Sequence, residues 1–130
     1  MKQQIEWIIL VTDNYQESYI FYKDILEFHV EREVAREEFC QFSLQNCFLT
    51  IYGRRFVQQL IGKEYIGKSG GALYTLGESQ DIDEQYKKLK RKGVRFIKNP
   101  CTQPWGQRTA YFTDPDGHIW EIQQWVNKVK

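Results

Sequence analysis

The order of hydrophobic and polar positions predicts the same succession of elements twice along the chain. In the first half, residues 5–11 form an apolar run of strand length, and Asn14 with Glu17 three residues later has the spacing of a helix N-cap. Strand-like segments follow at residues 28–34, 39–44 and 47–52, the last two joined across a polar turn at Gln45 and Asn46.

The same order returns in the second half, after an irregular segment. Residues 53–71 contain one predicted short helix at 54–60 and then a glycine-rich link. Asp81 and Glu84 repeat the helix-start spacing, and Gly93 has the position of a C-cap glycine after basic residues. Strand-like segments surround this helix at residues 72–76, 94–98, 108–113 and 119–124, with a proline-containing loop at 99–107.

The apolar faces of the two predicted helices also match each other. Tyrosines lie one, five and eight positions after Asn14, and apolar or aromatic residues lie at the same offsets after Asp81. These spacings place one buried stripe on each helix. The stripes are Tyr15, Tyr19, Tyr22 and Leu26 in the first helix, and Ile82, Tyr86 and Leu89 in the second. The chain is therefore predicted to be an internal duplication of a βαβββ unit.

A single βαβββ unit has a helix on one face of its four-stranded sheet and leaves the other face open. We therefore predict an α+β fold in which two βαβββ modules form a curved mixed sheet, with helices on the outer side. The inner side is expected to be a concave pocket, the usual place for a small-molecule site. The chain 1–130 is predicted to be one domain, with module 1 at about 1–62, a linker at about 62–71 and module 2 at about 71–126.

Composition and charge exclude several classes of partner. With 18 basic and 17 acidic residues, the chain has no global field that attracts nucleic acid or anionic lipid. No stretch is long and apolar enough to span a membrane, and the first residues do not resemble a signal peptide. Cys40, Cys47 and Cys101 lack metal-ligand spacing, so reduced, mostly buried thiols in a cytoplasmic protein are expected. The 20 aromatic residues (four Trp, eight Tyr, eight Phe) are enough to pack a core and line a pocket.

The most informative stretch is the predicted closing hairpin. Residues 114–117, Asp-Pro-Asp-Gly, supply a side-chain acceptor, a preset φ and a glycine for a tight turn. In the strand that follows, Glu121 lies between Trp120 and Ile122. Its side chain is therefore predicted to point to the face opposite those two apolar residues.

On these motifs the chain resembles the vicinal oxygen chelate superfamily, which contains glyoxalases, bleomycin-resistance proteins and extradiol dioxygenases. The resemblance covers nearly the whole chain, and it rests on several short stretches in the right order and spacing. They are VTDN at 11–14, FYKDILEF at 21–28, DID at 81–83, PWGQR at 104–108 and, above all, FTDPDG at 112–117 followed by IWEI at 119–122.

The resemblance also implies where a metal site would lie. Metalloenzymes of the superfamily hold a divalent ion with His, Glu or Gln from the first and last strands of both modules, and leave a position open for a substrate oxygen. Carried over to this chain, the implied positions are Trp7, Thr50 and Glu121, with Tyr74 as the fourth, or Leu73 if the following turn is one residue longer. Because only Glu121 is a good ligand, no metal or other cofactor is expected. If a metal is present, Glu121 is its one expected ligand.

Other ligand types in the sequence do not fill these positions. His29 is at the start of the second predicted strand and His118 is in the turn after Gly117, so both are expected to be structural or exposed. Glu6 is next to Trp7, but a shift of one residue along a strand places a side chain on the opposite face.

The resemblance and these departures from it together predict a metal-free small-molecule-binding protein, similar to the bleomycin-resistance branch. Its ligand is expected to be an aromatic or cationic organic molecule, bound by stacking and cation–π contact in an aromatic cup and oriented by one carboxylate. The predicted ligand-binding residues are Trp7, Thr50, Tyr74, Trp105, Arg108 and Glu121.

Alternatives to this function stay open. One is a metal-dependent glyoxalase (lactoylglutathione lyase) or dioxygenase-type enzyme, in which Glu121 is the only catalytic candidate. Another is a structural or interaction domain whose own aromatic side chains fill the cup. Locally, Glu121 either pairs with Arg108 or is available to a ligand, and Trp105 is either a binding residue or a packing lid. The resemblance further implies a homodimer.

Overall fold

Two structural units divide the chain, one spanning Met1–Lys68 and the other Ser69–Lys130, and each contains a four-stranded mixed sheet. A computed structural model describes residues 1–126 of the 130. Within the described residues, no helix has both the length and the apolar character needed to cross a membrane.

Numbered along the chain, the four strands of the sheet in the first unit lie side by side in the order first, fourth, third and second; the first and fourth are parallel and the other pairs are antiparallel. The second strand is followed by a 3₁₀ turn at Ala35–Glu37, and another 3₁₀ turn at Lys63–Tyr65 follows the last helix. The main elements are β1 (Trp7–Thr12), α1 (Tyr15–Ile20) continuing as a π-helical turn (Phe21–Ile25), β2 (His29–Val34), β3 (Phe39–Ser43), β4 (Phe48–Gly53) and α2 (Arg54–Ile61).

Local sequence signals explain where the first helix begins and what it covers. The side chain of Asn14 accepts a hydrogen bond from the backbone N–H of Glu17 at 3.2 Å, which satisfies one of the free donors at the helix start. Tyr22 is fully buried, with its ring 5.9 Å from that of Phe42 on β3. The helix therefore packs on one face of the sheet and fixes that face as the core of the first unit.

The second unit repeats this arrangement: its own four strands lie in the same order, first, fourth, third and second, and the first and fourth are parallel. Asp81 caps the helix by accepting a hydrogen bond from the N–H of Glu84, and Gly93 follows the helix with φ of 90°, a value that favours glycine. The elements are β5 (Leu73–Thr75), α3 (Ile82–Arg91), β6 (Arg95–Thr102), β7 (Gln107–Thr113) and β8 (Ile119–Trp125).

The core of the second unit lies between α3 and one face of its sheet. Ile82 and Leu89 of the helix are buried, as the helical spacing predicts, and so are four apolar side chains from β7 and β8: Ala110, Phe112, Trp120 and Ile122. The predicted α+β fold with two βαβββ modules is confirmed.

Two sequence-based boundaries in the second unit are wrong. The strand predicted at 94–98 extends to Thr102, into the segment predicted to be a loop, because two register shifts allow the strand to continue through Pro100. Proline is tolerated there because β6 is an edge strand with one side free of ladder hydrogen bonds. In contrast, β5 is shorter than the segment predicted at 72–76, since only Leu73–Thr75 pairs with β8.

The three cysteines are free thiols in different environments. Cys40 is buried, Cys47 is half-buried and Cys101 is exposed, so the expectation of mostly buried thiols is wrong for Cys101. Burial raises the pKa of Cys40 to about 12, which makes this thiol a core side chain rather than a nucleophile.

Candidate functional site

The closing hairpin positions the strand that contains Glu121. The side chain of Asp114 accepts hydrogen bonds from the backbone N–H groups of Asp116 at 2.9 Å and His118 at 2.8 Å. Gly117 has φ of 88°, a conformation that glycine adopts without strain. The turn therefore forms as the Asp-Pro-Asp-Gly motif predicts, and it fixes the register of β8 against β7.

Glu121 lies between two hydroxyl groups from neighbouring strands. Thr75 on β5 and Tyr111 on β7 are its cross-strand partners. The Thr75 hydroxyl donates a hydrogen bond to Oε1 of Glu121 at 2.5 Å. The side-chain hydrogen bond between Tyr111 and Glu121 is the main cause of a raised pKa for the Tyr111 hydroxyl, with burial as the second cause. Among residues 1–126, no Lys or Arg forms an ion pair with Glu121.

The predicted position of Tyr74 beside Glu121 is wrong. Tyr74 pairs with Trp120, and their ring centroids are 5.3 Å apart on the core face of the sheet. Burial there raises the pKa of the Tyr74 hydroxyl. Because side chains alternate along a strand, Tyr74 points away from the face of Glu121.

The register of the parallel strand pairs identifies Leu73 as the residue that corresponds to Trp7. In the first unit Trp7 pairs with Phe48, two residues before Thr50. In the second unit Leu73 pairs with Ile119, two residues before Glu121. Leu73, and not Tyr74, is therefore equivalent to Trp7, because the connection after β5 is one residue longer than the connection after β1.

Arg108 does not pair with Glu121, so that interpretation is wrong as well. Its guanidinium forms a two-pronged ion pair with Asp83 of α3, with both nitrogen–oxygen distances at 2.9 Å, and also donates to Thr102. The hydrogen bond from Arg108 lowers the pKa of Asp83. Because Arg108 is three residues from Tyr111 on β7, it lies on the helix-covered face and ties α3 to the sheet.

Trp105 is connected to the face of Glu121 by a chain of side-chain amides. The indole N–H donates to Oε1 of Gln107 at 2.9 Å, and the Gln107 amide donates to Oε1 of Gln123 at 3.0 Å. Gln123 is 8% exposed and donates to the carbonyl of Leu76. Neither glutamine was predicted to be a site residue, although the polar residues at alternate positions of β7 and β8 were a signal that indicated both.

In the first unit, Trp7 and Thr50 are in direct contact. The indole N–H of Trp7 donates to Oγ1 of Thr50 at 2.6 Å, with Thr50 fully buried and Trp7 43% exposed. Gln41 of β3 is the antiparallel partner of Thr50 and shares its face of the sheet. This polar cluster lies on the face away from α1, as Glu121 lies on the face away from α3.

The donor set in either unit does not fit a resident divalent metal ion. Trp7, Thr50 and Leu73 offer an indole, a hydroxyl and an alkyl group where three or four nitrogen or oxygen ligands are needed. Within residues 1–126 no group of three His, Cys, Asp or Glu side chains is arranged to hold a metal. His29 is exposed at the start of β2, and the backbone of His118 belongs to the turn. No step of the proposed chemistry is therefore assigned to a metal.

Comparisons with known proteins agree with this architecture. The chain is similar to a crystal structure of a glyoxalase/bleomycin resistance protein/dioxygenase from Nocardioides, with a TM-score of 0.81 and 23% identity. The alignment covers 100% of this chain and 88% of that one. A glyoxalase-related enzyme from Fulvimarina pelagi gives a TM-score of 0.84 at 21% identity, over 95% of this chain and 88% of that one. Lactoylglutathione lyase from Agrobacterium tumefaciens gives 0.75 at 14% identity, over 95% and 94%. At these identities the likeness shows the fold alone.

Two repeated βαβββ units with polar side chains on the faces away from their helices define a glyoxalase-like fold. The family model for the Glyoxalase/Bleomycin resistance protein/Dioxygenase superfamily matches residues 4–122, and the chain belongs to that superfamily. A protein of uncharacterized function from Shewanella frigidimarina is 26% identical over 136 residues, which cover 98% of each chain.

Proposed function

We propose that this protein binds an aromatic organic cation, with Glu121 as the anionic anchor and without a resident metal ion. The observation that carries the proposal is the environment of Glu121. Its carboxylate accepts a hydrogen bond from the hydroxyl of Thr75, lies opposite Tyr111 on β7, and has no basic partner among the described residues. A half-buried carboxylate without a basic partner is available to a cationic ligand, and the attraction between opposite charges is stronger there than in bulk water.

Aromatic side chains near the same face support an aromatic ligand. Trp105 is 50% exposed, and its hydrogen bond to Gln107 restricts the orientation of the indole ring. Trp125 lies two residues beyond Gln123 on β8 and is 37% exposed. An exposed indole of restricted orientation, such as that of Trp105, provides stacking area at a low cost in side-chain entropy, and exposed indoles also attract cations.

The surroundings of Glu121 favour binding over acid–base catalysis. A general acid–base site needs a group whose pKa lies near the working pH. The hydrogen bond to Glu121 raises the pKa of Tyr111 above its ordinary value, away from neutrality. Thr75, the other neighbour, has an aliphatic hydroxyl that does not titrate in water.

The proposal is tested by titrating the protein with ethidium, a planar aromatic cation, and with phenanthridine, its uncharged parent ring. We expect Glu121→Gln to weaken ethidium binding roughly 5- to 30-fold, which corresponds to about 1–2 kcal/mol for a partly desolvated charge pair, and to leave phenanthridine affinity within about twofold. Glu84→Gln, which removes an exposed carboxylate on α3 of the same unit, is the matched control. Equal losses for both ligands, or no loss for either, would contradict the proposal.

The proposal that the protein has no resident metal ion is tested separately, by measuring its metal content. Protein purified without chelators is expected to contain well under one divalent metal ion per chain by mass spectrometry of the metals. About one Ni, Zn or Fe per chain, or turnover of a hemithioacetal or catechol that disappears with a chelator, would favour the metal-dependent enzyme instead.

The remaining sequence-based expectations are part of the proposal. Trp7 and Thr50, which are in contact within the first unit, stay proposed ligand-binding residues of that unit, and Trp7→Ala should weaken binding of an aromatic ligand there. We also propose a homodimer in the cytoplasm. The exposed apolar side chains of Leu60, Ile61 and Tyr65 support an association surface on the first unit. Light scattering after size-exclusion chromatography, with Leu60→Lys as the variant, tests the dimer.

A further inference from the structure

The first unit contains an open cavity of about 410 Å³, and none of the residues so far assigned to ligand binding lines it. It lies between three segments that are distant in sequence: the start of α1, the 3₁₀ turn after β2 and the first turn of α2. Its volume is in the range of small-molecule sites. The charged and amide side chains that line it are Asp13, Asn14, Gln16, Arg36, Glu38 and Arg55.

Beside this cavity, Glu38 and Gly53 have residue types opposite to those that their backbones favour. Glu38 follows the 3₁₀ turn with φ of 49°, in the left-handed region that favours glycine. Gly53 has φ of −57° and ψ of 135°, which any residue adopts. A Cβ built on Gly53 would lie 2.8 Å from the Cβ of Glu38 and would also overlap the Glu38 carboxylate. The close approach of the Glu38 side chain therefore accounts for the glycine, and strain of this kind is concentrated at functional sites.

The carboxylate of Glu38 is held against Arg55 of α2. Nε of Arg55 donates to Oε1 of Glu38 at 3.2 Å, and the guanidinium carbon lies 4.8 Å from the centre of the Phe56 ring. Neither terminal nitrogen of Arg55 forms a hydrogen bond with any of the residues 1–126. Glu38 and Phe56 thus restrict the orientation of the guanidinium and leave its two outer nitrogens available to another acceptor.

The charges at the cavity leave a net positive charge. Both carboxylate oxygens of Asp13 accept from Arg54, at 2.6 and 3.2 Å, and Glu38 balances Arg55. Arg36 is exposed and forms no ion pair within the part of the chain that the structure describes. Guanidinium groups pair best with carboxylate and phosphate, whose oxygens match their planar fork. The cavity is therefore suited to an oxyanion rather than to a cation.

We propose that Arg36 and Arg55 bind the oxyanion of a small polar organic molecule, a phosphate monoester or a carboxylate, in this cavity. Glu38 is a positioning residue that acts through Arg55. The amide of Gln16 supplies a donor and an acceptor for the polar remainder of the molecule. The cavity lies in the first unit and Glu121 in the second, so this inference does not rest on the proposed cation site.

The test uses glucose 6-phosphate and glucuronate, with glucose as their uncharged counterpart. Each is titrated at low salt into ¹⁵N-labelled protein, and the backbone N–H signals of Arg36, Glu38 and Arg55 report binding at the cavity. We expect at least one anion to bind roughly tenfold more tightly than glucose, and Arg36→Gln and Arg55→Gln each to weaken it roughly 5- to 20-fold. The preferred anion identifies the oxyanion as phosphate or carboxylate. Arg32→Gln removes an exposed charge of the same unit that does not line the cavity, and it is the matched control.

A double-substitution cycle tests the role of Glu38. We expect Glu38→Gln to weaken anion binding about threefold when Arg55 is present and to have no effect in Arg55→Gln protein. Equal effects in both backgrounds, or tighter binding after Glu38→Gln, would overturn the positioning role.

The site itself has separate contradicting outcomes. Anions that bind no more tightly than glucose, or equal losses from Arg36→Gln and Arg32→Gln, would overturn it. The substituted positions are exposed or half-buried, so the variants are expected to fold, and the same spectra show whether they do. The ethidium titration of Glu121→Gln reports on the other site alone, so either proposal can fail while the other stands.

Discussion

Glu121 and Thr50 occupy the same place in the two units, yet their surroundings have opposite character. Glu121 is a carboxylate that accepts a hydrogen bond from Thr75, whereas Thr50 is a neutral hydroxyl that accepts one from Trp7. Gln41 is opposite Thr50 as Tyr111 is opposite Glu121. The backbone register is equivalent in the two sheets, so the duplicated scaffold fixes positions and the side chains alone decide which ligand group is recognised.

The largest expected effects concern the shared scaffold. Phe42 and Phe112 follow Gln41 and Tyr111 in their strands, and both are fully buried. Phe42→Ala and Phe112→Ala should each lower the free energy of unfolding by about 3–5 kcal/mol, through lost burial and the cavity that remains. Urea denaturation measures this. A loss of more than about 3 kcal/mol for one and under about 1 kcal/mol for the other would show that the two cores are not equivalent.

Substitutions at Thr50 and Glu121 test whether the environments of these two positions differ. Thr50→Glu places an unpaired carboxylate at a fully buried position and should destabilise the protein by about 3 kcal/mol, whereas Thr50→Val should change stability by about 1 kcal/mol. Glu121→Thr, at a half-buried position, should stay within about 1 kcal/mol. Thermal unfolding of the three variants at neutral pH is the measurement. Similar losses for Thr50→Glu and Glu121→Thr would mean that the two environments are alike.

The smallest expected effect concerns how each helix is tied to its sheet. Tyr15 of α1 donates to Glu33 of β2 at 2.6 Å, whereas α3 is tied by the ion pair of Asp83 with Arg108. The folded-state pKa of Asp83 is lowered, so its contribution is fully present above the unfolded value of about 3.9 and is lost as pH falls through the folded value.

Since both partners of this ion pair are partly exposed, Asp83→Asn should cost no more than about 1 kcal/mol at pH 7. The difference from the unsubstituted protein should shrink as pH falls below the unfolded value of about 3.9, and it should vanish once Asp83 is protonated in the folded state. Urea denaturation across this pH range is the measurement, with Asp24→Asn, an exposed carboxylate of the first unit, as the control. A difference that grows on acidification would contradict the assignment.

The sequence predicted features set by short-range chemistry, and failed where register between distant strands decides. Asn14 and Asp81 are caps because each needs only a side-chain oxygen and an N–H three residues later. The pairing of Arg108 depends on which face of β7 it occupies, and the role of Tyr74 depends on the length of the connection after β5. An error of one residue in the strand register would place either side chain on the opposite face of its sheet.

Gln41 had no local signal at all. A glutamine between Cys40 and Phe42 fits an alternating strand whether its amide is paired or not. Its burial opposite Thr50 is a property of the packed chain. Glu121 was found because a carboxylate in an apolar strand is conspicuous.

The irregular course of β6 also bears on how the protein avoids self-association through its sheets. A long, regular edge strand exposes backbone donors and acceptors that recruit further strands and lead to aggregation. β6 is the longest strand of the second sheet and lies at its edge, but its register shifts and Pro100 interrupt that row of groups, and Lys98 adds a charge. The edge is thereby a poor template for a growing fibril.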